Sequence, residues 1–432
     1  MAENRSRRTL TVDLLFNYAS LVIVAVGGLL TNIVVARYLG EAALGIFNQA
    51  YAVYIAASQL AVGGVHISVL RSVAQAGGNR SEQARLVASG LALSLGLGSA
   101  IAGLVLLGRH WLGAALGSPE VARSLVFAAP ALVPFALNKT LLSTLNGLER
   151  MRAYALLQAT RLIVLLVTLS TLAWLRRPAA ELTLALLLAE LCVLALSLPL
   201  VVGHLQLRPA QVCRPWLDRH LAFGARGLLS GVFLELNTRI DVLAIGLFLS
   251  DEAVGRYSIA AVFAEGLYQC LIVVRNQMNP VLAKLVLAQD PAPVRRLVRT
   301  AWRYLYPGMA LCYLAGLGAL HVVLSYQLRL PDPAATRACY LILGAGVLAV
   351  SGFVPFDGAL LHAGRPAHYT LLTFLVALSN LVLNLALIPW LGILGAALGT
   401  ALALGLSILY LNAIMRWQLG FDYLLSAPAT GQ

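Results

Sequence analysis

Twelve apolar stretches, each long enough to cross a lipid bilayer as a helix, follow one another along this chain and leave few folds open to it. The hydrocarbon core of a membrane is about 30 Å thick and is crossed by about 20 residues of helix. Inside it every backbone N–H and C=O needs a partner from the chain, which a helix supplies by itself. Polar residues mark the stretches off near 13–36, 43–68, 84–107, 121–147, 153–175, 180–204, 219–248, 253–283, 301–325, 335–362, 367–390 and 393–415. Only 11% of the residues are charged and 60% are hydrophobic, whereas soluble domains carry about 25% charged residues. An all-α, polytopic membrane protein of about 12 spans is therefore expected. The apolar run behind the N-terminus is longer than the roughly 7 to 15 residues of a signal-peptide core, and reads as an uncleaved first span.

A net charge of +13 would point to nucleic acid in a soluble protein. Here the basic residues follow the sidedness of a membrane, and no nucleic-acid partner is expected. With the N-terminus inside, 18 of the 31 Lys and Arg fall on the cytosolic side, among them Arg5, Arg71, Arg150, Arg296 and Arg365, against 8 on the other. Cytosolic loops collect Lys and Arg, so both termini are expected in the cytoplasm. Cys192, Cys213, Cys270, Cys312 and Cys339 are scattered without a CxxC and read as apolar side chains rather than metal ligands.

The two halves of the chain resemble each other. Residues 38–50, YLGEAALGIFNQA, match residues 248–260, FLSDEAVGRYSIA, without a gap: Gly45 falls on Gly255, Glu41 on Asp251 and Phe47 on Tyr257. A weaker match puts Arg150 and Tyr154 on Arg365 and Tyr369. Six spans per half is an even number, so both halves enter from the same side, as parallel repeats with a cavity between them near the middle of the bilayer. The expected division is an N-lobe over 1–204, a cytosolic linker over 205–218 interrupted by Pro209 and Pro215, and a C-lobe over 219–432.

Charges inside the spans carry the functional reading, because a charged side chain facing lipid costs about 2.5 to 3.5 kcal/mol on insertion scales. Five basic residues, Lys139, Arg161, Arg226, Arg239 and Arg275, lie within them. On the topology above, four of these (all but Arg239) sit seven or eight residues from the cytosolic end of their spans. At 1.5 Å per residue that is roughly 10 to 12 Å below the inner surface, one layer of cations suited to an anionic headgroup. Snorkelling to the cytosolic headgroups is the plainer use of such side chains. On the seventh span, Glu235 and Arg239 have the i,i+4 spacing of a helical ion pair, which is either a structural lock or part of transport. Glu235, Asp241 and Glu265 lie deeper and are the candidates for proton or sodium coupling by location. Pro130 and Pro134 suggest a bent fourth span, and Gly395 with Gly399 a close helix contact. There is no HExxH and no GxxxxGK[ST], so neither a metal site, a nucleotide nor any other cofactor is expected.

The stretches RYLGEAALGIFNQA, NTRIDVLAIGLFLSDEAVGRYSIA and LSNLVLNLALIPWLGILGAALGTALA resemble polysaccharide exporters of the multidrug, oligosaccharidyl-lipid and polysaccharide (MOP) flippase superfamily, of the O-antigen flippase type. The resemblance implies two six-helix lobes in a V shape. It implies alternating access and an undecaprenyl-diphosphate-linked oligosaccharide carried across the bacterial inner membrane. The basic cavities of that family are similar in kind to Lys139, Arg226 and Arg275. Membrane lipids, a polysaccharide polymerase and assembly proteins are the partners it implies. Two rival expectations remain: a cation-coupled drug exporter of the same architecture, which predicts an acidic cavity, and a membrane glycosyltransferase or polymerase, which needs larger outer loops than this chain has.

Overall fold

The computed structural model describes residues 2–287, 291–328, 332–362 and 364–419. These are almost wholly helical, with no strand among them. Three helices start at a side chain that caps an unpaired N–H group of the first turn. Asn79 accepts from the Glu82 N–H at 3.2 Å, Ser118 from Val121 at 3.4 Å, and Asp332 from Ala335 at 3.1 Å. Pro119 and Pro333 follow two of these caps, where a missing N–H costs nothing.

Ten helices among the described residues are long and apolar enough to cross a membrane, and two local breaks reconcile them with twelve expected spans. The first two spans form one helix, Ala2–Val62, bent at Gly40, whose φ of 87° only glycine adopts without strain. The seventh is interrupted by its own charges: Arg214–Asn237 stops, Thr238 and Arg239 are non-helical, and Ile240–Phe248 resumes. The expectation of one unbroken helix is thereby corrected: Glu235 stands on the first helix and Arg239 in the turn between the two. The fourth span bends where its prolines stand, as Pro119–Ala128, a 3₁₀ turn over Ala129–Ala131, and Leu132–Gly147.

The chain forms two compact units. The first comprises Met1–Leu236 with Ser250–Gly255, and the second Asn237–Leu249 with Arg256–Gln432. The division runs through the break in the seventh segment, so that Arg214–Asn237 packs almost entirely with the first unit. Trp216 donates to Glu82 there at 2.8 Å, and the buried His220 ring lies 2.8 Å from the Ser68 hydroxyl.

The internal repeat is visible inside the first unit as a reciprocal contact. A Cβ on Gly45 would fall far inside van der Waals contact of the Asp251 carbonyl, and one on Gly255 would do the same to the Glu41 carbonyl. Gly45 and Gly255 are repeat mates, and so are Glu41 and Asp251. The pair of contacts is therefore self-complementary in the way of a twofold interface. Asp251 is held further by Gln49, which donates at 2.6 Å, and by Ser118 at 2.8 Å. The weaker match has a shared turn behind it: Glu149 and Gly364 both have positive φ, and Arg150 and Arg365 each precede the next helix.

Each unit has its own core. Tyr54, Ala61, Leu132, Phe135, Ala136 and Leu186 form one in the first unit beneath the charged residues described next. In the second unit Gly395 and Gly399 let Ile393–Leu419 lie against the backbone of Pro366–Leu391, as small residues do between membrane helices.

Candidate functional site

In the first unit, Phe135 is the floor on which two of the expected cations meet. Lys139 stands one turn after it on Leu132–Gly147, with its ammonium 5.4 Å from the ring centroid. Arg161, from Met151–Trp174, lies over the same ring at 5.6 Å. Cations are attracted to the face of an aromatic ring at this range, more so where water is scarce. The two differ in what neutralises them. Arg161 lies against both carboxylate oxygens of Glu190, with Nε–Oε1 at 2.9 Å and Nη2–Oε2 at 3.2 Å. Asn138 donates to the same carboxylate at 2.8 Å, and Gln158 accepts from Arg161 at 3.1 Å. Lys139 is half-buried and has no ion pair or hydrogen bond among the described residues. Glu190 and Glu235 act on it electrostatically from farther away.

Two other polar groups near these cations lack partners. The Tyr54 hydroxyl is buried without a hydrogen bond, its ring edge-on to Phe135 at 5.8 Å and within electrostatic reach of Arg161 and Glu190. The Nδ1 of His66, which opens Val65–Gln75 and lies within reach of Lys139, is also unsatisfied. Buried polar groups in folded proteins nearly always find partners, so the unbonded Tyr54 hydroxyl, edge-on to Phe135, and the unbonded His66 Nδ1, within reach of Lys139, mark a place where a polar ligand would complete the bonding. An ammonium, a phenol and an imidazole beside a guanidinium can all donate hydrogen bonds, which suits an anion rather than a cation.

The remaining expected residues divide between the units. Arg226, on Arg214–Asn237, is exposed and has no ion pair among the described residues. In the second unit Arg239 pairs with Glu265 at 3.3 Å, and Arg275 with Asp357 at 3.0 Å. Asp241, in the first turn of Ile240–Phe248, is buried and accepts hydrogen bonds from the Tyr257 hydroxyl and from the Val242 N–H, the latter at 2.9 Å. Tyr257 is joined to Thr400, Thr400 donates to Asn380 at 3.2 Å, and Asn380 donates to Asn237 at 3.2 Å. Asn384 donates to Asn380 at 2.8 Å while its own buried Oδ1 has no partner.

A family model described as "Polysaccharide biosynthesis protein" matches residues 12–286. The chain belongs to the polysaccharide biosynthesis protein family. Solved structures share its fold at low identity. A multidrug resistance MATE transporter of the MOP superfamily, in an inward-facing conformation, superposes with a TM-score of 0.74 at 13% identity, over 96% of this chain and all of the other. The lipid II flippase MurJ, inward closed, gives 0.76 at 14% identity over 94% of this chain and 87% of the flippase. A MATE transporter of Vibrio cholerae gives 0.62 at 15% identity, over 96% and 97% of the two chains. No curated protein matches the chain. The fold of this family member is thus that of MOP superfamily transporters, all-helical and multi-pass.

Sequence reasoning found Lys139 and Arg161 but not what distinguishes them. Glu190 lies 29 residues from Arg161, and Asp357 lies 82 from Arg275, separations that carry no periodic signal. Phe135, four residues before Lys139, was within reach of helical spacing. The Glu190 pair is a structural feature with a testable cost. Its side chain is 5% exposed and that of Arg161 20%. Removing one partner of a buried pair leaves the other uncompensated, at about 3 kcal/mol or more. Glu190→Gln is expected to lower the melting temperature of the purified protein clearly, and Arg161→Gln added to it to recover part of the loss. Equal melting of wild type and Glu190→Gln would show that the pair contributes no stability.

Proposed function

We propose that the chain is a flippase that moves an undecaprenyl-diphosphate-linked oligosaccharide across the bacterial inner membrane by alternating access, with both termini in the cytoplasm and two six-helix lobes moving around the substrate. The carrying observation is Lys139: a membrane-embedded ammonium over Phe135 without a carboxylate partner, flanked by Arg161, Tyr54 and His66. A diphosphate brings at least two negative charges and many acceptor oxygens, and takes the bonds these groups leave unmade. Membership of the polysaccharide biosynthesis family and the fold shared with a lipid II flippase support the same substrate class. Arg226, exposed on the same unit, extends the positive charge. A glycan polymerase and assembly proteins would receive the product.

The test is reconstitution. Vesicles containing the protein should expose a fluorescent short-chain polyprenyl-diphosphate oligosaccharide to an external quencher, and should not accumulate ethidium. Ethidium uptake without movement of the glycolipid would favour the multidrug reading.

The coupling site belongs in this proposal at Asp241. Its carboxylate ends a chain of hydrogen bonds through Tyr257, Thr400 and Asn380 that reaches the unsatisfied Asn384 Oδ1. Oxygen ligands of this kind suit a proton or sodium ion. Glu265 is engaged with Arg239, and Glu235 stands nearer Lys139. Asp241→Asn is expected to abolish stimulation of transport by an imposed ion gradient while leaving slow, gradient-independent exchange. Full stimulation in that variant would remove Asp241 from the coupling role.

A further inference from the structure

The tenth expected span, 335–362, does not run through as one helix. Pro333–Val350 gives way to a turn over 351–353, a 3₁₀ turn at Val354–Phe356 and a further turn at Asp357 and Gly358, before Ala359–His362 resumes. Gly352, Pro355 and Gly358 are the local cause, since proline brings no N–H to a helix and glycine weakens it. Irregular backbone at membrane depth is tolerated only where protein buries it or where it lines a water-filled cavity. Carbonyls freed by the break are met from the helix Pro291–Val322, where Trp302 donates to Gly352 at 2.7 Å and Tyr306 to Ala349 at 3.2 Å. Val354 and Phe356 are buried. Asp357, which follows them, keeps 20% of its side chain exposed.

On Asp251–Leu287, Tyr268, Arg275 and Asn279 fall within a sector of about 40° at 100° per residue. Arg275 donates to the Asp357 Oδ2 at 3.0 Å, and its other N–H groups have no hydrogen-bond partner among the described residues. The Gly358 N–H also leans on the carboxylate, but no hydrogen bond of ordinary geometry reaches its buried Oδ1. The buried Oδ1 of Asn279 accepts nothing either. Tyr268, and Tyr369 from Pro366–Leu391, lie within electrostatic reach of both members of the ion pair. Neither hydroxyl has a hydrogen-bond partner among the described residues. Donors and acceptors are thus gathered around a pair that carries no net charge, unlike the ammonium of Lys139. A phosphate would meet the Asp357 carboxylate as a like charge, whereas every sugar hydroxyl both donates and accepts.

We infer that Tyr268, Arg275, Asn279, Asp357 and Tyr369 form a subsite of the second unit for the vicinal hydroxyls of a neutral sugar. Free guanidinium N–H groups beside a carboxylate oxygen match a diol, one hydroxyl accepting and the next donating, and hydrogen bonds to charged groups are the stronger ones. A site built to bond hydroxyls discriminates against a ligand that lacks them, because its own polar groups are then left unpaired. The inference rests on the flippase reading for what brings the sugar, and it assigns Arg275 to the glycan rather than to the diphosphate. The glycerol headgroup of phosphatidylglycerol carries the same diol, and the experiment separates the two.

The experiment uses the full-length protein in mild detergent, titrated with farnesyl diphosphate and with the same prenyl diphosphate carrying a neutral disaccharide. Wild type is expected to bind the glycosylated probe roughly tenfold or more tightly than the bare one. Y268F/Y369F removes two hydroxyls and leaves the ion pair in place; it and N279A should lose most of that preference while binding farnesyl diphosphate as wild type does. If the double variant folds poorly, Y369F alone carries the test, with a smaller loss expected. Lys139→Gln should weaken both probes alike and keep the preference, so the diphosphate site and the sugar subsite can fail separately. Equal affinity of wild type for the two probes would overturn the inference while leaving the diphosphate reading intact. So would an unchanged preference in both Y268F/Y369F and N279A. Loss of the preference on adding phosphatidylglycerol but not phosphatidylcholine would assign the diol site to lipid and overturn it as well. Binding of neither probe would overturn the transport reading and the inference with it.

Discussion

Replacing Lys139 by alanine is expected to cut glycolipid movement in reconstituted vesicles by about ten- to a hundredfold while leaving the melting temperature unchanged or slightly raised. The magnitude follows from a hydrogen bond to a charged group, worth about 1.5 to 3 kcal/mol, at about 1.4 kcal/mol per factor of ten. The sign of the stability effect follows from the geometry. Lys139 has no ion pair to lose, and an uncompensated charge inside a membrane is a cost to the fold. Arg161 should behave in the opposite way, because its removal strands the buried Glu190 carboxylate. Arginine at 139 keeps the charge and should keep part of the activity. A Lys139→Ala protein that melts much earlier than wild type would instead make the residue a structural one.

The second large effect is expected at the repeat contact. Gly255→Val puts three carbons where the Glu41 carbonyl already stands, and even alanine places its Cβ far inside contact distance of that backbone. Backbone at a helix junction cannot swing aside as a flexible side chain does, and overpacking of this kind costs about 1 to 3 kcal/mol, sometimes more. Gly45→Val should be equally harmful, since its Cβ meets the Asp251 carbonyl. Gly266→Ala, where no atom lies within 4 Å, is the control and should melt as wild type does. Thermal denaturation of the four purified proteins, followed by loss of surface glycan in cells carrying them, measures both consequences. Normal melting of Gly255→Val would mean that the segment Ser250–Gly255 is not held where the structure puts it.

Hydropathy alone outlined the helices closely. The expected span at 153–175 is the helix Met151–Trp174, and that at 367–390 is Pro366–Leu391, because apolar length is a one-dimensional property of the chain. The repeat was legible for the same reason, and its glycines proved to be the contact itself. What sequence could not give was pairing. The seventh segment looks like one helix with a charged defect, yet the helix ends at Asn237, so that Arg239 pairs with Glu265 of Asp251–Leu287 and Asp241 lies in the first turn of a new helix bonded to Tyr257. Likewise, Lys139, Arg161 and Arg275 look equivalent by depth. They separate only when Glu190 and Asp357, distant in the chain, are seen to neutralise two of the three.

The most direct test of the account is the binding of a short-chain prenyl diphosphate to the purified protein, measured by titration with wild type, Lys139→Gln and Lys139→Arg. An anion site built on an unpaired ammonium predicts that glutamine weakens binding at least about tenfold and that arginine restores most of it. Equal affinity for wild type and Lys139→Gln would contradict it.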